Sequence, residues 1–217
     1  MGFRDSLLML RRAKVRGTLK SAYYSLTRTD RLDTLLFSRE VIVEIDRNAD
    51  ITANGGLEVG VGRSGVTHPR LGRSKVHFKD GSTVRFPSDN RSYFGPGSVV
   101  TVEGEFMMGD SHFNANGTVI CGEKITIGEG GRFAWNVTVL DDDRHELVVD
   151  GIERPQSEPV VIGDNVWIGH DVTVTKGVTV GEGAVIGSNS VVTTDVPPHS
   201  LAMGHPAKVV HEDIKWE

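Results

Sequence analysis

Aliphatic side chains return every six residues through the carboxyl-terminal part of this chain: Ile162, Ile168, Val174, Val180, Ile186 and Val192. Four positions beyond each stands a small or β-branched residue, namely Val166, Val172, Val178, Ala184, Ser190 and Val196. Gly follows four of the six leading aliphatics, at Gly163, Gly169, Gly181 and Gly187. An amphipathic helix repeats at 3.6 residues and a simple strand at 2, so neither produces this pattern. A beat of six fits a three-sided coil. Each side is a short strand plus a corner, three sides complete a rung of roughly eighteen residues, and stacked rungs bury a continuous aliphatic column. The glycines beside the aliphatics are expected to supply permissive backbone at the corners.

The same beat runs earlier through Ala115, Cys121, Ile127, Phe133 and Val139, with Val119, Ile125, Gly131 and Val137 four positions on. It is present again from Ile45 through Ile51 to Leu57. Between about 63 and 105 the beat degenerates. Val76, Phe78, Val84, Phe86, Val99 and Val102 still read as short strands there, and are expected to form irregular early rungs. Ahead of them, residues 3–37 read as helical, and Thr29-Asp30 reads as the cap of a second short helix containing Leu32, Leu35 and Leu36. The organisation expected is an all-β coil over 41–198, a basic helical segment over 1–40 and a tail over 199–217.

One interruption stands out. Val139 and Ile162 are separated by a normal six-residue step plus 17 extra residues. That surplus must leave the coil as an excursion, placed at 140–158, and a long excursion from a rigid scaffold is where function is expected.

Composition agrees with a turn-rich coil. Gly accounts for 26 residues while aromatics make up only 6%. The net charge of −5 is uneven: residues 1–40 hold nine Lys/Arg against four Asp/Glu, and the remainder carries −10. An acidic body argues against nucleic acid as the ligand. The basic segment over residues 1–28 suits either a solvated helix face or weak peripheral contact with a membrane. The early apolar run Leu7–Leu10 is too short for a secretory signal. The single cysteine, Cys121, excludes an intrachain disulfide and a Cys-rich metal site, and a cytoplasmic location is the expectation.

The stretch IGDNVWIGHDVTVTKGVTVGEGAVIGSNSVVTTDVPPHSLAMGHPAKVV resembles the carboxyl-terminal half of the hexapeptide-repeat O-acetyltransferases, among them the galactoside and maltose acetyltransferases. NANGTVICGEKITIGEGGRFAWNVTVLDDDRH is most similar to the polysaccharide-type members, whose Asp-x-Asp-x-His motif is matched by Asp141, Asp143 and His145. The likeness covers about 113–211. It implies a left-handed parallel β-helix, a homotrimer, acetyl-coenzyme A as co-substrate without a metal, and a sugar hydroxyl as acceptor.

Acetyl transfer to an alcohol needs a base for the hydroxyl proton, and histidine titrates in the right range. His145 is the His on the excursion, and Asp143 is the carboxylate expected to orient it. Cys121 holds an inward position and reads as a buried structural thiol, so transfer is expected to be direct. The resemblance places acceptor contacts at Asn114 and Asp141, and cofactor contacts at His170, Ser188, Thr193, Thr194, Lys208 and His211; Trp167 breaks the aliphatic pattern and reads either as a wall of the acceptor site or as packing at a subunit interface. Gly122 stands where galactoside relatives use an acid. Three other readings stay open: an N-acetyltransferase acting on an amino sugar, a non-catalytic β-helix scaffold, and a metalloenzyme like the γ-type carbonic anhydrases.

Overall fold

A computed structural model describes residues 14–29, 34–60 and 72–216, with side chains from Leu19 onward. The part of the helical expectation that falls on residues 3–13 and on Leu32 lies outside them. One helix, α1 (Lys14–Arg28), precedes a series of short strands numbered here in chain order. Every third strand stacks parallel on the one before, giving three sheets and therefore a three-sided left-handed parallel β-helix.

Sheet A begins with β1 (Leu35–Phe37) and runs through β4 (Leu57–Val59), β7 (Ser92–Phe94), β10 (His112–Phe113), β13 (Arg132–Phe133), β18 (Trp167–Ile168) and β21 (Val185–Ile186) to β23 (Leu201–Gly204). Sheet B starts at β2 (Ile42–Ile45) and includes β5 (Lys75–Phe78), β8 (Val99–Val102), β11 (Thr118–Cys121), β14 (Thr138–Leu140), β19 (Thr173–Val174) and β22 (Val191–Val192). Sheet C starts at β3 (Asp50–Ala53) and ends at β20 (Thr179–Val180).

Successive residues of a strand face opposite ways, so the strands of sheets B and C bury every second side chain, whereas β1, β4 and β7 of sheet A are buried on both faces. One inward column of sheet B is valine throughout: Val43, Val76, Val100, Val119, Val139, Val174 and Val192 sit on one another in register. Its sheet A counterpart changes with height. Phe94, Phe113 and Phe133 stack, with ring centroids 4.7 and 4.1 Å apart, and above them Ile168 and Ile186 lead to Ala202.

The early rungs are in register rather than irregular. Val76 pairs with Val100 and Val84 with Phe106, and all four are buried. The six-residue beat fails there because the rungs are longer: Lys75 sits on Ile42 and Val99 on Lys75, steps of 33 and 24 residues. The expected second helix is also corrected. Leu35–Phe37 is the first strand of sheet A, paired with Leu57–Val59, so the coil starts ahead of residue 41. All three residues are buried, and a strand hydrogen-bonded on the coil satisfies backbone that a short apolar helix would leave unpaired at its ends. Nor is the tail separate: β23 continues sheet A parallel to β21, and β24 (Ala207–His211) returns antiparallel to it.

The corner glycines are corrected as well. Gly163, Gly169, Gly181 and Gly187 are not among the residues with positive φ. They are needed because the next rung lies against them: a Cβ on Gly169 would sit 2.7 Å from the Ser188 nitrogen, and one on Gly181 would sit 2.4 Å from that of Pro198. The left-handed turn positions fall two residues later. Between sheets A and B these are Gly97, Asn116, Asn136, Asp171 and Asn189, with φ between 56° and 82°. Asn and Asp tolerate this conformation better than other side chains that carry a Cβ. The stacked side chains also bond one another, Asn116 donating to Asn136 (3.1 Å) and Asn136 to Asp171 (2.8 Å).

Candidate active site

The excursion leaves the coil after β14, at the corner between sheets B and C, and forms a β-hairpin. Strands β15 (Leu147–Val149) and β16 (Ile152–Arg154) pair antiparallel across Asp150-Gly151. Both turn residues have positive φ, 54° and 76°, the Asp-Gly signature of a two-residue hairpin turn. The hairpin exposes Leu147, Val148, Val149 and Ile152.

A two-stranded hairpin is marginal in water by itself, so its stem must be fixed to the coil. Asp141 is fully buried, and its carboxylate accepts three backbone N–H bonds, from Gly122 (2.6 Å), Glu123 (3.0 Å) and Lys124 (2.6 Å). An acceptor sugar therefore has no access to it, which corrects its expected role in substrate binding. Asp142 accepts from the Arg144 amide (2.6 Å) and from Gln156 Nε2 (3.0 Å), tying the two sides of the stem together. It also lies over Gly122, where a Cβ would come within 2.3 Å of the Asp142 carboxylate. No larger side chain fits at 122, which accounts for the missing acid there.

Lys176, on the rung above, reaches into the stem and bonds the carbonyls of Pro155 (2.5 Å) and Gln156 (3.3 Å) and the carboxylate of Asp143 (2.6 Å). Below, Arg144 pairs with Glu103 (2.5 Å). Burial alone would raise the pKa of Glu103, but hydrogen bonds from Lys79 and Arg144 outweigh it and hold the carboxyl below its usual value.

His145 is exposed at the base of the hairpin. Its Nδ1 faces the backbone carbonyl of Asp143 at 3.3 Å. A proton on Nδ1 donated to that carbonyl leaves Nε2 as a free acceptor directed away from the stem. The ring thus meets the main chain of Asp143, while the Asp143 carboxylate, expected to hold the ring, is engaged by Lys176.

Cys121 is buried, and burial together with the neighbouring Asp141 carboxylate pushes its thiol pKa far up. A thiolate nucleophile does not form there at neutral pH. Among the described residues no cluster of three His, Cys, Asp or Glu side chains could hold a metal ion.

The remaining candidates fall on two edges of the prism and on sheet A. Asn114, His170 and Ser188 lie on the corner between sheets A and B, His170 and Ser188 on successive turns and Asn114 two turns below His170; His170 bonds Asp171 (2.7 Å), and its ring is 6.4 Å from that of Trp135. Thr193 and Thr194 are exposed on the corner between sheets B and C, two rungs above the hairpin's exit. Lys208 and His211 are exposed on β24 at the top of sheet A. Trp167 is on the outer face of sheet A beside Trp216, ring centroids 6.0 Å apart, away from His145 in the same chain. Sheet B separates the two edges by a four-residue strand, roughly 10 Å. Lys176 was missed by sequence reasoning, since one lysine in a coil corner carries no motif. Gly122, standing where galactoside relatives use an acid, was the available hint of close packing.

With this geometry in hand, the relatives can be placed. Residues 159–194 match the family described as bacterial transferase hexapeptide (six repeats). Over 123 residues the chain is 38% identical to galactoside O-acetyltransferase of Escherichia coli (strain K12), covering 55% of this chain and 57% of that relative. The chain thus spans little more than half the length of the curated relative it matches. Among solved structures it is similar to the polySia-specific acetyltransferase NeuO, at 24% identity over 85% of this chain and 87% of that one, with a TM-score of 0.48. It is similar too to a hexapeptide-repeat-containing acetyltransferase of Vibrio cholerae O1 biovar eltor complexed with acetyl coenzyme A, at 29% identity over 61% and 70% of the two chains and a TM-score of 0.48. The rungs above the excursion hairpin carry the hexapeptide repeat of the bacterial transferases.

Proposed function

We propose that this chain transfers the acetyl group of acetyl-coenzyme A directly to a sugar hydroxyl, with His145 as the general base. The observation that carries the reading is the His145 ring, oriented through Nδ1 by a main-chain carbonyl on a hairpin that the hexapeptide coil holds rigidly. Nε2 takes the hydroxyl proton as the acceptor oxygen attacks the thioester carbonyl. The tetrahedral intermediate then expels the coenzyme A thiolate, which recovers the proton from the imidazolium. Asn114 and Trp167 serve the acceptor. His170, Ser188, Thr193, Thr194 and His211 line the path of the coenzyme, with Lys208 set for its phosphates.

No single copy unites these groups, and a homotrimer does. The outer face of sheet B carries no charge from the third rung up: Val99, Thr118, Ile120, Thr138, Leu140 and Thr173 are half-buried and uncharged. The outer face of sheet C, by contrast, bears ion pairs such as Arg85–Asp50 and Lys124–Glu105. Interface cores are depleted of charge. With sheet B turned toward a three-fold axis, the hairpin edge of one copy meets the Asn114 edge of the next, and His145 joins the acceptor contacts across the boundary.

A coenzyme-A-release assay over mono- and disaccharide acceptors tests the reading. His145→Ala is expected to cut turnover by roughly 10²–10⁴ with folding unchanged. Undiminished activity in that variant would remove His145 from the chemistry.

A further inference from the structure

Helix α1 packs with its polar side inward. Lys20 donates to the Val41 carbonyl (2.5 Å), Tyr24 to that of Val43 (3.0 Å), and Arg28 to those of Arg47 (2.8 Å) and Ile45 (3.1 Å). Ser21 and Ser25 treat the edge strand as a sheet neighbour would: the Ser21 hydroxyl accepts from the Phe37 amide (2.9 Å) and the Ser25 hydroxyl from that of Leu35 (3.0 Å), while both donate to carbonyls of the same strand. The helix therefore closes the open lower edge of sheets A and B with hydroxyl, amine and guanidinium groups.

The opposite side of the same helix is apolar and faces solvent. Leu19, Tyr23 and Leu26, spaced by four and three residues, are 69%, 61% and 64% exposed. An amphipathic helix normally turns such a stripe toward the core. Here the stripe looks outward from the base of the prism, on a helix holding Lys14, Arg16, Lys20 and Arg28 and no acidic residue. It also belongs to the +5 segment of an otherwise acidic chain.

We propose that α1 is a docking surface for an anionic lipid bilayer, lying flat on it with Leu19, Tyr23 and Leu26 entering the headgroup boundary. An apolar stripe on a cationic helix without acids is the chemistry an anionic interface selects, and cations near such a surface add to the attraction. No helix among the described residues is long and apolar enough to cross a membrane, and the contact proposed for α1 is with the bilayer surface. A stripe of three side chains gives reversible, salt-sensitive attachment.

The test is sedimentation of the full chain with vesicles of phosphatidylglycerol and phosphatidylcholine, against vesicles of phosphatidylcholine alone. The expected result is binding to the anionic vesicles only, released by high salt. It should fall at least about tenfold in Leu19→Gln/Leu26→Gln, with acetyl transfer to a soluble acceptor unchanged. Because Gln adds no charge, the loss would report the apolar contact and not repulsion. Failure of the wild-type chain to sediment, equal binding of the variant, or equal binding to both vesicle types would overturn the proposal. So would an altered molecular mass of the variant by light scattering with vesicle binding intact, which would assign the stripe to a second copy of the chain.

Discussion

The two edges that border sheet B are built from similar rungs and do opposite things. At the corner with sheet A, left-handed Asn and Asp residues stack turn after turn, and their side chains join in a ladder. Nothing longer than a turn can leave there without breaking that ladder. At the corner with sheet C the chain departs for a whole hairpin, and the breach is closed by charged groups on three levels: Glu103 below, Asp141 at the exit and Lys176 above. A solenoid can release a functional loop from one edge without loosening, provided that buried or half-buried ions replace the hydrogen bonds the missing turn would have made. The ladder edge stays regular, and is the better support for contacts that must hold a fixed spacing.

The largest effect expected from this contrast concerns activity. If catalysis needs the hairpin edge of one copy and the ladder edge of the next in the proposed trimer, the His145→Ala and Asn114→Ala variants, each nearly inactive, should regain about a quarter of wild-type sites when unfolded together and reassembled at equal amounts. The quarter is the chance that an intact His145 meets an intact Asn114 across a boundary. No recovery, with mixed trimers verified by mass, would place the site within one copy.

Next in size is the closure of the breach. Asp141→Ala removes the acceptor for three backbone N–H groups and should cost about 3 kcal/mol or more in denaturant unfolding. Activity should fall with it, although the carboxylate is buried. Unfolding at the wild-type midpoint would show that the hairpin is held by other means. The smallest effect belongs to the ladder. Asn136→Ala loses two side-chain bonds and keeps a φ of 59° that alanine disfavours, for about 1–2 kcal/mol by calorimetry. Asn136→Gly should cost less, since it relieves the backbone; a glycine variant worse than alanine would contradict the role of the left-handed turn.

The contrast also explains what the sequence disclosed. Where rungs are eighteen residues long and strands only two, the inward aliphatics keep time, and residues 162–196 could be read directly. The excursion was visible for the same reason, as a surplus against a steady count. Lower down, four-residue strands place two side chains inward, and large ones such as Phe78, Phe86 and Phe106 widen the coil. Rung length then varies, and a six-residue comb loses phase although the pairing does not. The glycines misled because adjacent backbone, not unusual torsion, demands them, and sequence alone does not separate the two causes. Within the site, His145 was legible from its place on the excursion. The division of labour within Asp143, carbonyl to the ring and carboxylate to Lys176, depended on a rung 33 residues further along.

The antiparallel return of β24 along β23 has a wider consequence. A stack of parallel coils is its own template, and a bare final rung invites another molecule to continue it as a fibre. By doubling back, the last segment of sheet A presents a strand of reversed polarity to any newcomer. The parallel pairing that joins every other rung of this sheet cannot be extended from it, so the upper edge of sheet A is closed to parallel growth.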